Sequence, residues 1–198
     1  MHDSTGRVWS DAELIDYIND GRRRVSVDTH CLRSLETVAF LTSTETYQVA
    51  ALTTKGSRCI DISNITVLWG TQRVPMLWCA WTKFNAFYRT WMTNLSRPSV
   101  WSFAGTSPAV ATIYIQPVPD QPYTAEMDIF YIPLDLVDNT TVDEISYPFT
   151  SPVAYYAASK AKESEQSYGE AQTMLQEYAK KAIEAINSFT RRLPDPYY

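Results

Sequence analysis

The chain has 198 residues, a formal net charge of -5, 45% hydrophobic residues and 20% charged residues. A folded chain of this length buries about 70% of the surface that its unfolded form exposes, so it needs neither a metal nor a disulfide to form a core. No apolar run approaches the ~20 residues of a membrane helix, and the polar start over residues 1–7 lacks the apolar segment of a signal peptide. We therefore expect a globular protein that is made in a cytosol.

Cysteine spacing argues against a disulfide framework. The three cysteines are Cys31, Cys59 and Cys79, an odd number at wide intervals, with no CxxC pair that could begin a metal site. We expect buried free thiols.

Charge is distributed unevenly along the chain. Residues 1–97 carry 11 basic and 9 acidic side chains, and the last 48 residues carry 6 of each. Residues 98–150 contain no Lys or Arg, and their acids are Asp120, Glu126, Asp128, Asp135, Asp138, Asp143 and Glu144. Because binding to phosphates requires Lys and Arg, this middle segment is predicted to repel DNA rather than bind it.

The first predicted helix covers about residues 10–30. Ser10 and Glu13 have the spacing of a capping box, and Trp9 and Leu14 have that of a hydrophobic staple. The apolar positions of this helix recur at helical spacing, at Leu14, Ile15, Ile18 and Val25.

A β-rich region is predicted over residues 37–132. Short β-branched and aromatic runs at Val38–Leu41 and Tyr47–Val49 indicate a β-hairpin. Cys59–Trp69 alternates with one slip, which predicts a bulged strand, and Arg73–Trp78 is its predicted partner. Trp81–Trp91 carries aromatic residues at helical spacing and is predicted to be a short helix.

Three more strands are predicted, at Pro98–Phe103, Ala109–Gln116 and Thr124–Ile132. The last two are joined by a proline-rich link, which predicts a rigid hairpin turn. We expect its tip to project from the protein. The tip consists of Gln116, Pro117, Val118, Pro119, Asp120, Gln121, Pro122 and Tyr123.

The C-terminal part is predicted to contain two helices over about residues 152–191. Pro152 suits a first helical turn, and a second capping box at Ser167–Glu170 predicts a break and a new start. Prolines near the end prevent further helix and favour an extended tail. Its residues are Arg191, Arg192, Leu193, Pro194, Asp195, Pro196, Tyr197 and Tyr198.

The predicted fold class is α+β. The N-terminal helix and the C-terminal helices pack together in this prediction, with a central β-rich region that contains the projecting hairpin. We expect one domain over residues 1–192, followed by the extended tail at 193–198.

Patterns for catalysis and metal binding are weak. His30 has no second ligand at a useful spacing, and the chain has no GxSxG elbow, glycine-rich phosphate loop or HExxH. Asp16 and Asp20 fit a solvated helix face better than an acid pair. Arg22–Arg24 fit a structural or subunit-contact role better than phosphate binding, because successive helical positions point in different directions. We expect no enzyme, no catalytic residue, no metal and no cofactor.

Aromatic residues are abundant, with six Trp, thirteen Tyr and seven Phe. Tyr and Trp anchor protein interfaces, so this surplus favours assembly, although a large core would also use it.

The order of these features resembles the head-to-tail adaptor (connector) proteins of tailed bacteriophages. The resemblance rests on the capped helix at Trp9–Asp20, the β-rich middle, the strand-turn-strand at Ile113–Asp120 and Ile129–Tyr131, and the alanine-rich helical end.

The resemblance implies a structural protein of the virion neck. It implies a homo-oligomeric ring of about a dozen copies, which binds the portal protein and the next tail or neck protein. DNA passes through its channel during genome ejection without specific binding, and no membrane is involved. In this interpretation residues 191–198 dock into the portal, and the acids Glu126, Asp128, Asp135, Asp138, Asp143 and Glu144 face the channel. The hairpin tip at residues 116–123 contacts a neighbouring subunit or a tail component. The alternative is a phage tail or capsid accessory protein that binds a partner without forming a ring.

Overall fold

A computed structural model describes residues 9–89, 94–105, 110–138 and 140–190. The chain divides into two compact units. One unit combines both chain ends, Met1–Leu32 and Ile132–Tyr198, and the other is Arg33–Tyr131. The single domain expected over residues 1–192 stays a prediction, and the structure distinguishes these two units within it.

The unit formed by the chain ends is helical. Its helices are α1 at Asp11–Thr29 and, later in the chain, Ser151–Ser164 and Tyr168–Thr190. The Ser151–Ser164 helix packs against both of the others. Gly21 permits this packing, because a Cβ at its position would lie 3.0 Å from the backbone oxygen of Val153. The predicted packing of the N-terminal helix with the C-terminal helices is confirmed.

Both ends of α1 are capped, and the N-terminal cap is the one that the sequence predicts. The Ser10 side chain accepts a hydrogen bond from Glu13 N at 3.3 Å, and Glu13 Oε2 accepts one from Ser10 N at 2.8 Å. His30 ends the helix in the left-handed conformation, with φ 52°. The adjacent Trp9 is buried, and its indole N–H donates to Ser164 Oγ at 3.2 Å.

We expect Ser10→Ala to lower the free energy of unfolding by about 1 kcal/mol, because it removes the acceptor for an otherwise unpaired N–H of the first turn. Urea unfolding measures this loss. Ser57→Ala is the matched control, since Ser57 is exposed and no side-chain hydrogen bond is found for it in the part of the chain that the structure describes. Equal stability of the two variants would contradict a stabilising role for the cap.

The unit at Arg33–Tyr131 contains two four-stranded sheets. Its strands in chain order are β1 Arg33–Phe40, β2 Thr46–Gln48, β3 Cys59–Trp69, β4 Gln72–Pro75, β5 Leu77–Trp78, β6 Val100–Ala104, β7 Thr112–Gln116 and β8 Tyr123–Tyr131. One sheet has the order β1-β8-β3-β4 and the other β2-β7-β6-β5. All neighbours are antiparallel except β5 and β6. The two sheets share one apolar core, to which Phe40, Ile65 and Met127 contribute from the first sheet and Trp101 and Ile113 from the second.

Short helical segments connect the strands. α2 at Val49–Leu52 and a 3₁₀ turn at Gly56–Arg58 precede β3. α3 at Trp81–Lys83 continues into a π-helical turn at Phe84–Tyr88. The first part of the predicted aromatic helix is therefore confirmed. Residues 90–93 lie outside the described part of the chain. With the helices Ser151–Ser164 (α4) and Tyr168–Thr190 (α5), the α+β class is confirmed.

Two predicted hairpins are wrong. β1 and β2 lie in different sheets, and so do β7 and β8, so neither pair is joined as a hairpin. The segments between them carry the chain from one sheet to the other. Since both sheets bury their apolar faces in the same core, the alternating pattern of a strand does not reveal the sheet to which it belongs.

The predicted partner strand Arg73–Trp78 is also divided between the sheets. β4 pairs with β3 as expected, whereas β5 lies in the second sheet, parallel to β6. The bulge in β3 is confirmed by register shifts between Cys59 and Asp61 and between Ile62 and Asn64.

The three cysteines are free thiols. Cys59 and Cys79 are buried, as predicted, whereas Cys31 is half-buried. Burial raises the pKa of the Cys59 thiol to about 12, so this side chain stays protonated at neutral pH.

Candidate functional site

The predicted hairpin tip is a sheet-to-sheet connection, and most of it is held against its own unit. Gln116 and Tyr123 are buried strand ends. The Val118 carbonyl accepts a hydrogen bond from Ser96 N, and the Pro119 carbonyl accepts one from Ser43 N, both at 2.9 Å. The exposed part of the connection is Asp120–Pro122.

Two of the predicted channel acids, Glu126 and Asp128, lie on β8. Glu126 accepts hydrogen bonds from the guanidinium of Arg73 at 2.9 and 3.0 Å, and these bonds lower the pKa of Glu126. Asp128 is buried and forms a two-pronged ion pair with Arg33. Both carboxylates are therefore neutralised by arginines of their own unit.

Arg22 binds the loop at residues 132–150 to the middle of α1. Its side chain is 1% exposed, and its Nη2 lies 2.7 Å from Asp143 Oδ1. Its Nη1 donates to the Leu134 carbonyl at 2.7 Å and to Asn19 Oδ1 at 3.1 Å. A buried guanidinium with partners in this geometry positions the backbone on which those partners lie.

Further polar contacts fix the same loop. Asn19 binds the backbone of Leu136 in both directions, donating to its oxygen at 3.0 Å and accepting from its nitrogen at 2.8 Å. Arg23 pairs with Asp135 at 2.7 Å, and Glu144 accepts from Leu134 N at 2.7 Å. The predicted Arg22–Arg24 cluster thus has a structural role, with Arg24 paired to Asp28.

Asp138 completes the set of predicted channel acids. Its Oδ1 accepts hydrogen bonds from the hydroxyls and backbone N–H groups of Thr140 and Thr141. The bond from the Thr140 hydroxyl makes the largest contribution to lowering the pKa of Asp138. Four of the six predicted acids are therefore paired with arginines, while Asp138 and Glu144 accept from neutral donors in the contacts described here.

Large apolar side chains of the 132–150 loop face solvent. The exposed fractions are 59% for Leu134, 79% for Val137, 88% for Val142 and 83% for Tyr147. The loop therefore directs several polar groups toward α1 and these four apolar side chains outward, while Ile145 and Phe149 are buried. Several exposed apolar side chains on one loop indicate a surface for protein contacts. Sequence reasoning missed this surface, although the alternation of apolar and acidic residues in the loop was a signal.

A second exposed feature lies around Trp69 and Arg97, in the β-rich unit. The guanidinium carbon of Arg97 lies 4.4 Å from the centroid of the Trp69 ring, and Trp69 is 54% exposed. The two side chains line a depression of about 450 Å³. Its other walls come from Ser96, Ser99, Pro117, Asp120, Gln121 and Tyr123. Sequence reasoning singled out part of this wall as the hairpin tip but did not connect it with Trp69 and Arg97.

The remaining predicted features are located as follows. His30 caps α1, and Asp20 pairs with Arg23 at 2.7 Å. In the part of the chain that the structure describes, no three His, Cys, Asp or Glu side chains are grouped as a metal site. Within the same part, the helices are all too short or too polar to span a bilayer. The predicted docking tail, Arg191–Tyr198, lies outside the described residues.

Exposed apolar and aromatic surfaces that are held in place by ion pairs define a class of protein that acts through contacts with other proteins. Residues 1–196 match the SU10 adaptor protein family. The chain belongs to this family and is a phage structural adaptor protein. A search of curated proteins finds no match.

Proposed function

We propose that this adaptor forms a ring in the virion neck, where it joins the portal to the tail and continues the DNA channel. The observation that carries the proposal is the family match over residues 1–196, nearly the whole chain. The exposed apolar residues of the 132–150 loop support assembly, because a monomer gains nothing from holding Val137, Val142 and Tyr147 in water. A ring of about a dozen copies requires two different faces of each subunit to meet.

The channel surface is proposed to include some of the six acids, Glu126, Asp128, Asp135, Asp138, Asp143 and Glu144. DNA moves freely past a wall that offers no unpaired basic groups, because strong phosphate binding needs Lys or Arg. Four of these acids are each paired with an arginine, which is then less available to bind a DNA phosphate. They are Glu126, Asp128, Asp135 and Asp143.

The two ends of the ring are proposed to bind different partners. The tail at Arg191–Tyr198 supplies Leu193, Tyr197 and Tyr198 for a groove in the portal, and its prolines limit the entropy lost on binding. The connection at 116–123 is proposed to contact a neighbouring subunit or a tail component through its exposed part, Asp120–Pro122.

Native mass spectrometry of the purified full chain, alone and mixed with portal rings, tests this function. We expect a complex of portal and adaptor in which the adaptor copies form a closed ring. The alternative is an accessory protein that binds a phage partner without forming a ring. A monomeric adaptor in both samples would contradict the ring.

A further inference from the structure

An apolar groove of about 540 Å³ lies between α1 and α5 in the helical unit. Leu175, Ala179 and Ile183 form an exposed row along its α5 side, because residues four apart lie on one face of a helix. Leu175 is 37% exposed and Ile183 is 58% exposed. The other lining residues are Arg24 and Asp28 of α1, Tyr156 of α4, and Tyr178, Ala182 and Ile186 of α5.

Contacts within the helical unit hold the polar groups of this groove in place. The rings of Tyr156 and Tyr178 pack edge to face, with their centroids 5.5 Å apart. The Tyr178 hydroxyl donates to Asp28 Oδ2 at 2.6 Å, and Asp28 pairs with Arg24 at 2.8 Å. Because these polar groups already bind one another, the groove is formed in advance and offers an occupant mainly apolar area.

The C-terminal tail begins one helical turn beyond this groove. Ile186 lines the groove, and α5 ends four residues later at Thr190. The eight residues of the tail, Arg191–Tyr198, span about 26 Å when extended. Tyr178 lies about 18 Å back from Thr190 along α5, at 1.5 Å per residue. A tail that turns back at the end of α5 is therefore long enough to cover most of the groove.

We infer that in each free copy the tail Arg191–Tyr198 folds back into the groove between α1 and α5, and that the portal displaces it. Leu193, Tyr197 and Tyr198 supply the apolar and aromatic side chains that such a groove accepts. The inference rests on the proposed docking of the tail into the portal, and it adds a regulatory state in which the tail is bound to its own copy.

Covalent attachment makes the tail of the same copy the favoured occupant. A segment joined to the edge of a site by a short linker has an effective concentration in the millimolar range, far above that of a separate partner. A few apolar side chains are then sufficient for the groove to be filled. The contact stays weak enough for the portal to displace, so it contributes little to the stability of the helical unit.

A disulfide trap in the full-length protein tests the contact without the portal. Ala179→Cys places a thiol in the groove, and Asp195→Cys places one in the tail while all three apolar side chains of the tail are kept. Cys31→Ser removes the half-buried native thiol from the reaction. We expect mild oxidation to form a disulfide within one copy, which peptide mapping by mass spectrometry detects.

Glu184→Cys combined with Asp195→Cys and Cys31→Ser is the matched control. Glu184 is exposed and is nearer to the tail in the sequence than Ala179 is, but it lies about 140° around α5 and outside the groove. A tail without a fixed position forms the control disulfide at least as readily as the groove disulfide. Equal or faster trapping in the control would contradict the contact. A disulfide between two copies would also contradict it, since the occupant is then the tail of a second copy.

Groove variants with an intact tail test the regulation of portal binding. Leu175→Ser combined with Ile183→Ser removes apolar contacts of the bound tail and makes the tail free for a larger fraction of the time. We therefore expect the dissociation constant for portal rings to fall about threefold or more in a co-sedimentation titration. Tyr168→Ser is the control, because Tyr168 is an exposed aromatic residue of the same helix outside the groove. Its portal binding is expected to match wild type, and circular dichroism checks that each variant is folded.

The outcomes distinguish this inference from the proposed function. If the wild-type protein binds the portal and the groove variant binds it equally or less well, the groove does not hold the tail back and the docking of the tail stands. If the wild-type protein does not bind the portal but the disulfide forms selectively at the groove position, the contact stands. Docking into the portal, and with it the regulatory role of the groove, is then wrong.

Discussion

Asp143→Ala is expected to lower the free energy of unfolding by about 3 kcal/mol, the lower end of the range for breaking a buried ion pair, because the Asp143 side chain is itself 34% exposed. The size of the effect comes from Arg22, which is 1% exposed and cannot recover the lost interaction from water. The Leu134 carbonyl and Asn19 remain as its partners, but neither carries a negative charge. Urea unfolding monitored by circular dichroism measures the change.

Asp135→Ala is the matched control for this prediction. Its partner Arg23 binds the same loop to the same helix, but the two side chains are 41% and 53% exposed. Exposed pairs contribute about 0–1 kcal/mol, so the control is expected to cost far less. Similar losses in the two variants would show that burial of Arg22 is not what makes its ion pair important.

Deletion of Leu193–Tyr198 is expected to abolish co-sedimentation with portal rings, the largest functional effect that we predict. The segment offers one leucine and two tyrosines, and its two prolines are residues that disfavour helix. The truncated protein should keep its circular dichroism spectrum and melting temperature if the segment serves only the partner.

A full-length variant tests whether the apolar side chains of the tail, rather than its length or charge, bind the portal. Leu193, Tyr197 and Tyr198 are changed to Ser together, while Arg191, Arg192 and Asp195 are kept. We expect this variant to lose portal binding as the deletion does. Portal binding at wild-type strength by either variant, or failure of the truncated chain to fold, would refute the docking tail.

The sequence by itself determined the local elements of this protein. The capping box at Ser10 and Glu13 places the start of α1, because both partners lie within one helical turn. The slip in the alternation of apolar and polar residues over Cys59–Trp69 predicts the β3 bulge for a similar reason. The alternation of a strand is visible in adjacent residues of the sequence. The family resemblance also came from the order of these elements, and the family match agrees with it in making the chain a phage adaptor protein.

Only the tertiary structure decided which sheet each strand joins. β1 and β2 are neighbours in the sequence, yet they lie in different sheets of one core, as do β7 and β8. The same limit applies to the site. Arg22 meets Asp143 across 121 residues, and Arg97 lies against the ring of Trp69, which is in a distant part of the sequence. Sequence spacing reports interactions within a turn or a strand, whereas pairing between distant charges depends on how the whole chain packs.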